Sequence, residues 1–382
     1  MLDVSFSETM KISKLASKME EEGKDIISLA VGEPDFDTPD FIIEAAYEAM
    51  KKGFTHYTQS QGIPELRQAI AENIKRENDL DYGADNILVT PTKQAIFMSI
   101  LAHLDDGGEV ILSDPAWVSY EPMIKFADGI VVRAPMSKED FSLNTDIMQE
   151  RITSRTEMMV LNSPCNPTGK SLDMEDMKAI RDIAVDNDII VVTDEVYEKL
   201  VFEGEHISIA SLDDMRERTI TVNGFSKAYA MTGWRLGWLA CNEDLLENIA
   251  KIQTHSITCA TSFAQKAGLE AMTNRKKSEE AIEFMKSKYL KRRELIVKRL
   301  NEIEGFHCKK PDSTFYTFPK YDYNMDSMEL SMYLLEEAKV ATTPGSAFGH
   351  TGENHLRMSF ANSLENIKEA MDNIEEAVQS IQ

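Results

Sequence analysis

Six short apolar runs, rich in β-branched residues, recur between residues 87 and 222: 87–90, 110–113, 130–133, 158–162, 189–193 and 220–222. The segments between them mostly carry helical period. This alternation predicts an α/β fold with a mainly parallel sheet, because a parallel neighbour is reached only through a helix-sized crossover that then covers the sheet. Upstream, Thr38-Pro39 predicts a helix start with a capping threonine and a first-turn proline, and Gly53 its end. Ile63-Pro64 predicts a second helix with Leu66, Ile70 and Ile74 on one face. Beyond about residue 275 the texture changes. A long charged helix is expected over 276–301, strands over 306–309, 314–318, 340–343 and 355–359, a helix over 327–338, and an amphipathic helix from Glu365.

The 382 residues suffice for two cores. The expected division is an arm over 1–37 that joins a smaller α+β domain, a large domain over 38–275, and the smaller domain over 276–382. Net charge is −24, from 41 basic and 65 acidic residues, which leaves no basic field for a nucleic-acid partner. No apolar run reaches the roughly 18 residues of a membrane span. The first residues lack a basic and then apolar leader, so a cytoplasmic protein is expected. Cys165, Cys241, Cys259 and Cys308 lie far apart and are expected as reduced thiols. The seven histidines show no H-x-x-x-H spacing, and no metal site is expected.

Ligands of open α/β sheets bind beyond the carboxyl ends of the strands. Three consecutive strand exits here carry chemistry: N-S-P-C-N-P-T-G-K (162–170) with Asn166, D-E-V-Y (194–197) with Asp194 and Tyr197, and the turn after 220–222 with Ser226, Lys227 and Arg235. A lysine at the mouth of a sheet can be desolvated into a nucleophilic amine, and an arginine offers a two-pronged grip for phosphate. Asp194 follows a buried run and needs a partner. A protonated pyridine nitrogen would serve and would make its ring an electron sink. Together these residues point to pyridoxal 5′-phosphate. Taken singly, Lys227 and Arg235 could be a solvated loop lysine and a structural arginine, and Asp194 a helix cap.

G-E-P-D-F-D-T-P (32–39), Y-T-Q-S-Q-G-I-P-E-L-R (57–67), N-S-P-C-N-P-T-G (162–169), D-E-V-Y (194–197) and G-F-S-K-A-Y-A-M-T-G-W-R-L-G (224–237) resemble, in order, the class I aminotransferases of pyridoxal-phosphate fold type I. The chain is most similar to the bacterial and archaeal aspartate aminotransferase subgroup, from about residue 7 to the last helix. The resemblance implies a seven-stranded sheet in the large domain. It implies that Lys227 carries the cofactor as a Schiff base and shuttles the substrate's α-proton. Asp194 would pair with the pyridine nitrogen, Tyr197 and Asn166 would bind the ring oxygen, and Arg235 with Ser226 would hold the phosphate. Trp117 would stack on the ring; otherwise it is a core tryptophan. Gly32 would let the backbone approach the substrate, and Arg357 would clamp its α-carboxylate. Tyr57 would reach the phosphate of a neighbouring subunit, which implies a homodimer with shared active sites.

One stretch departs from the family pattern. V-T-P-T-K-Q-A (89–95) is one residue shorter than usual and lacks the glycine of the phosphate-cradling loop, so Thr92 and Lys93 stand there instead. Lys93 aligns with a lysine that acidic-substrate members place near the distal carboxylate; otherwise it is solvated or serves the phosphate. The implied activity is ping-pong transfer of an amino group between an L-amino acid, aspartate first, and a 2-oxo acid such as 2-oxoglutarate. The alternatives are an aminotransferase for alanine or aromatic amino acids, or a C–S β-lyase. A sensing domain of a DNA-binding regulator is opposed by the acidic balance.

Overall fold

The computed structural model describes residues 8–381. Residues 1–7, part of the expected arm and of the stretch read for a leader, lie outside it, as does Gln382. Seven strands form the main sheet: β1 (Ile87–Val89), β2 (Glu109–Asp114), β3 (Ile130–Pro135), β4 (Thr156–Asn162), β5 (Ile190–Asp194), β6 (Thr219–Gly224) and β7 (Gly237–Ala240). Their spatial order is β1-β7-β6-β5-β4-β2-β3. The pairs among β2 to β6 are parallel, whereas β7 runs antiparallel to both β1 and β6. The six expected strands are present. β7 is the addition: the connection leading to it, residues 225–236, contains no helix, so the chain folds straight back beside β6.

β4 and β5 read as continuous apolar runs because both of their faces are covered. Met158, Val160 and Val192 pack with helices Thr92–His103 and Glu243–Ser256. Met159, Leu161 and Val191 point the other way, toward helix Met174–Asp186. That is the two-residue alternation of a strand. At one sheet edge, helices Asp40–Lys51, Pro64–Glu77 and Ser262–Thr273 bury Ile87, Val89 and Trp238.

The first of these helices differs from its expected start. It begins at Asp40 with Pro39 at the cap position, and Thr38 does not cap it. The buried Thr38 hydroxyl instead donates to the Ala230 carbonyl (2.7 Å) and accepts from Trp234 Nε1 (2.9 Å), which ties the helix to the 225–236 connection.

Tyr289, Ile296, Leu300, Phe315, Ile367 and Ile374 of the carboxyl-terminal third form a cluster that Leu29, Val196, Tyr197 and Leu200 join from earlier in the chain. The charged helix spans Arg275–Glu302, and the last helix spans Leu364–Val378. The helix expected over 327–338 is Ser327–Tyr333, continued by a wider π turn over Leu334–Ala338. Tyr316–Thr317, Leu356–Ser359 and Thr343–Pro344 form an antiparallel three-stranded sheet. Ile27–Ser28 pairs with Val340–Ala341, bringing residues 30–33 beside this sheet. All four cysteines are free. Among the described residues, no helix is long and apolar enough to cross a membrane.

Candidate active site

Asn162 at the end of β4 lies in register with Asp194 at the end of β5, and Asp194 with Val222 of β6. Their exits therefore open side by side, as expected for such a sheet. They border a cavity of about 550 Å³. Residues 30–33, the first turn of helix Thr92–His103, and residues 117–120 complete it with Tyr316 and Arg357. Of the residues singled out from sequence, Gly32, Thr92, Lys93, Trp117, Asn166, Asp194, Tyr197, Ser226, Lys227, Arg235 and Arg357 all line this one space. Tyr57 does not. It is 86% exposed, on the outer surface of the chain.

Asp194 is buried, and its side chain caps no helix; Oδ1 accepts from the Val196 N–H at 3.3 Å and Oδ2 from the Tyr120 hydroxyl at 2.9 Å. Burial pushes its carboxyl up to about 6, while the Tyr120 and Val196 bonds and the Lys227 charge oppose the rise. Lys227 Nζ donates to the Gly32 carbonyl at 2.6 Å and stands 5.9 Å from the centre of the Tyr197 ring. Burial lowers its ammonium to about 8; Glu33 and Asp194 resist that shift, and Arg357 and Arg235 add to it. An amine so placed loses its proton near neutrality.

Tyr197 and Tyr316 share a hydroxyl–hydroxyl bond of 2.9 Å, and burial holds both phenols above their ordinary range. Arg357 is anchored deep in the cavity. Its Nη2 donates to the Ala30 carbonyl (2.6 Å) and its Nη1 to Asn166 Oδ1 (3.1 Å). Its buried Nε–H finds no partner among the described residues. Buried donors are seldom left unpaired, so this one is set for an anionic ligand. The guanidinium also lies 4.6 Å from the Tyr316 ring centre.

The 89–95 stretch is less loop than expected. Pro91 (φ −55°, ψ 133°) occupies the cap position, and helix begins at Thr92. Thr92 Oγ1 donates to the Asn223 carbonyl at 3.3 Å, packed against the last glycine pair of β6 and β7. A Cβ on either Gly224 or Gly237 would come within 2.3 Å of that oxygen, so both must lack side chains. The helix start thus reaches the cavity, where its unpaired N–H groups favour an anion. Lys93 Nζ lies 4.7 Å from the Trp117 ring centre and 3.4 Å from Ser119 Oγ. Desolvation, helped by Arg235, lowers its proton affinity. Arg235 sits at positive φ (53°) and donates to the Thr232 carbonyl at 2.8 Å.

Pyridoxal phosphate fits these residues. The buried Asp194 carboxylate suits a cationic ring nitrogen, the helix start and Arg235 suit a phosphate, and Lys227 suits a carbonyl carbon. Sequence reasoning passed over Tyr120, Tyr316, Asn162 and Glu33. Glu33 and Asn162 stand inside the 32–39 and 162–169 motifs and Tyr120 one turn after Trp117 in D-P-A-W-V-S-Y, whereas Tyr316 left no signal. Behind the site, His206 Nε2 lies 3.0 Å from Glu195 Oε2 with Glu198 beside it, a grouping of metal-ligand types that the histidine spacing did not anticipate.

The model of the family "Aminotransferase class I and II" matches residues 24–374. The chain is 45% identical to an aspartate aminotransferase of Pyrococcus abyssi, over 98% of this chain and 96% of that one. It is 43% identical, with the same coverage, to the aromatic-amino-acid aminotransferase 2 of Thermococcus litoralis. A solved structure of Thermus thermophilus aspartate aminotransferase with maleate superposes with a TM-score of 0.94 at 38% identity, covering 98% of this chain and 97% of that one. A cavity with a buried carboxylate, an activated lysine and a waiting arginine, on a chain with these relatives, has one reading: the protein belongs to the class I and II aminotransferases and is a transaminase dependent on pyridoxal 5′-phosphate.

Proposed function

We propose that this transaminase exchanges the amino group between L-aspartate and 2-oxoglutarate, as a homodimer with shared sites. The observation that carries the substrate is Lys93. Its ammonium borders the cavity beside Trp117, and among the described residues it forms no ion pair. A distal carboxylate of the substrate would complete it, while Arg357 takes the α-carboxylate through a planar fork that a lysine cannot supply. Maleate, named with the Thermus neighbour, has this two-carboxylate layout.

When bound, the pyridine ring draws electrons from the substrate's α-carbon and loosens its proton. Lys227 holds the cofactor and then, as a free amine, takes that proton and returns it one position away, acting as base and then acid. Asp194 would keep the ring nitrogen's proton in place. Tyr197 and Asn166 would bind the ring oxygen, and Trp117 would cover the ring face. Arg235, Ser226 and the helix turn at Thr92 and Lys93 would take the phosphate. Gly32 leaves space that a side chain would fill, since a Cβ there would stand 2.6 Å from the Tyr316 hydroxyl. The exposure of Tyr57 supports its service to a second subunit. The change from the seven-stranded, mainly parallel sheet to short antiparallel strands after helix Arg275–Glu302 supports a division near residue 275.

A panel of amino acids assayed with 2-oxoglutarate tests the substrate. Aspartate and glutamate should lead. Should alanine or aromatic amino acids outrun both, the dicarboxylate assignment fails and the transaminase stands. Pyruvate and ammonia released without an acceptor would instead mark a β-lyase.

A further inference from the structure

Tyr120 is almost wholly buried at 1% exposure, and its hydroxyl donates to Asp194 across 2.9 Å. Its backbone N–H donates to the Trp117 carbonyl at 3.1 Å, and the two rings meet edge to face with centres 5.2 Å apart. One turn of chain therefore presents an indole to the cavity and a phenol to the carboxylate that ends β5. None of the roles above uses that phenol.

We infer that Tyr120 is a positioning residue that holds the Asp194 carboxylate as an acceptor aimed at the cofactor's ring nitrogen. The inference rests on the proposed pairing of Asp194 with that nitrogen. A buried carboxyl tends to keep its proton, and a protonated carboxyl cannot hold a second proton on the ring. A phenol donor bonds the ionised form and opposes protonation. Burial and the neighbouring carboxylate keep Tyr120 itself protonated, so it remains a donor across the working range. The other groups facing the carboxylate divide in effect. Lys227, from the turn after β6, favours ionisation, and the adjacent Glu195 opposes it. Cys165, after β4, and Tyr197 are buried and held neutral.

The test titrates cofactor-free protein with pyridoxal phosphate at pH 6 and pH 8, following absorbance and tryptophan fluorescence. The proteins are the parent, Tyr120→Phe, Asp194→Asn and the double variant. Tyr120→Phe removes one oxygen and retains the ring packed on Trp117; matched melting curves confirm its fold. Losing a hydrogen bond to a charged group raises the carboxyl's proton affinity about tenfold. From a starting value of about 6, the ionised fraction then drops about fivefold at pH 6 and hardly changes at pH 8. Affinity relative to the parent should follow, with about a fivefold loss at pH 6 and less than about twofold at pH 8. In the Asp194→Asn background the substitution should cost less than about twofold at either pH, because its partner charge is gone. Equal losses at both pH values, or losses that add in the double variant, would make Tyr120 a shape filler and overturn the inference. If Asp194→Asn alone binds as tightly as the parent, the ring-nitrogen pairing fails, and this inference with it.

Discussion

Lys227 and Gly32, 195 residues apart in the chain, meet through a 2.6 Å hydrogen bond from the ammonium to the glycine carbonyl. The carbonyl supplies an acceptor but no countercharge, so the buried lysine gives up its proton at about 8, against an ordinary 10.5. Between those values the unfolded chain binds more protons than the folded one. Stability therefore falls as pH drops from 10.5 to 8, and the full penalty, about 3 kcal/mol, is present below 8. Lys227→Met should abolish turnover and yet stabilise the cofactor-free protein at pH 7 by about 2 kcal/mol, after allowing for the lost hydrogen bond. The gain should vanish above pH 10.5. Melting curves across pH check this, and a variant that melts lower at pH 7 refutes it.

Arg357 is fixed by the Ala30 carbonyl and Asn166, with its Nε–H left free. A lysine keeps the charge but not the fork. Arg357→Lys should lower kcat/KM for amino and oxo acids about a hundredfold, chiefly through KM. Cofactor affinity should stay within about twofold of the parent, since the phosphate is held elsewhere. Steady-state kinetics and a cofactor titration separate the two effects.

Lys93 distinguishes one substrate class from another. Lys93→Met should cut kcat/KM for aspartate about tenfold or more and leave alanine and phenylalanine within about threefold. Equal losses across all three would assign Lys93 to the phosphate.

Tyr57 and Lys227 supply the test of shared sites. Tyr57→Ala and Lys227→Ala chains, each weak alone, should regain activity when mixed and allowed to reassort. The ceiling is about a quarter of native activity, because half of the dimers are mixed and each mixed dimer holds one intact site. A mixture no more active than its parts would place Tyr57 outside its neighbour's site.

The parts of the fold legible in sequence were those written in local pattern. β4 and β5 announced themselves because burial on both faces demands unbroken apolar runs such as Ile190-Val191-Val192. β7 did not, since four residues after a helix-free connection carry too little pattern to distinguish a strand from a turn. Thr38 looked like a helix cap and is instead a buried tie to Ala230, a partner 192 positions away that no local rule can supply. Among site residues, Lys227, Asp194 and Arg357 were visible because each stands at a strand end or in a motif. Tyr316 was not, and Glu33 carried no role although it stands in the 32–39 motif, because the relevance of both depends on what packs across from them.

By itself the sequence determined the residue types, the strand–helix alternation and the order in which motifs leave the sheet. Those follow from short-range periodicity and from the need to cover an apolar sheet. Only the tertiary structure decided that Lys227 is desolvated against Gly32, that Tyr120 faces Asp194, and that the Nε–H of Arg357 is left free. Hydrogen bonds and burial join residues far apart in the chain, and proton affinity depends on that surrounding shell.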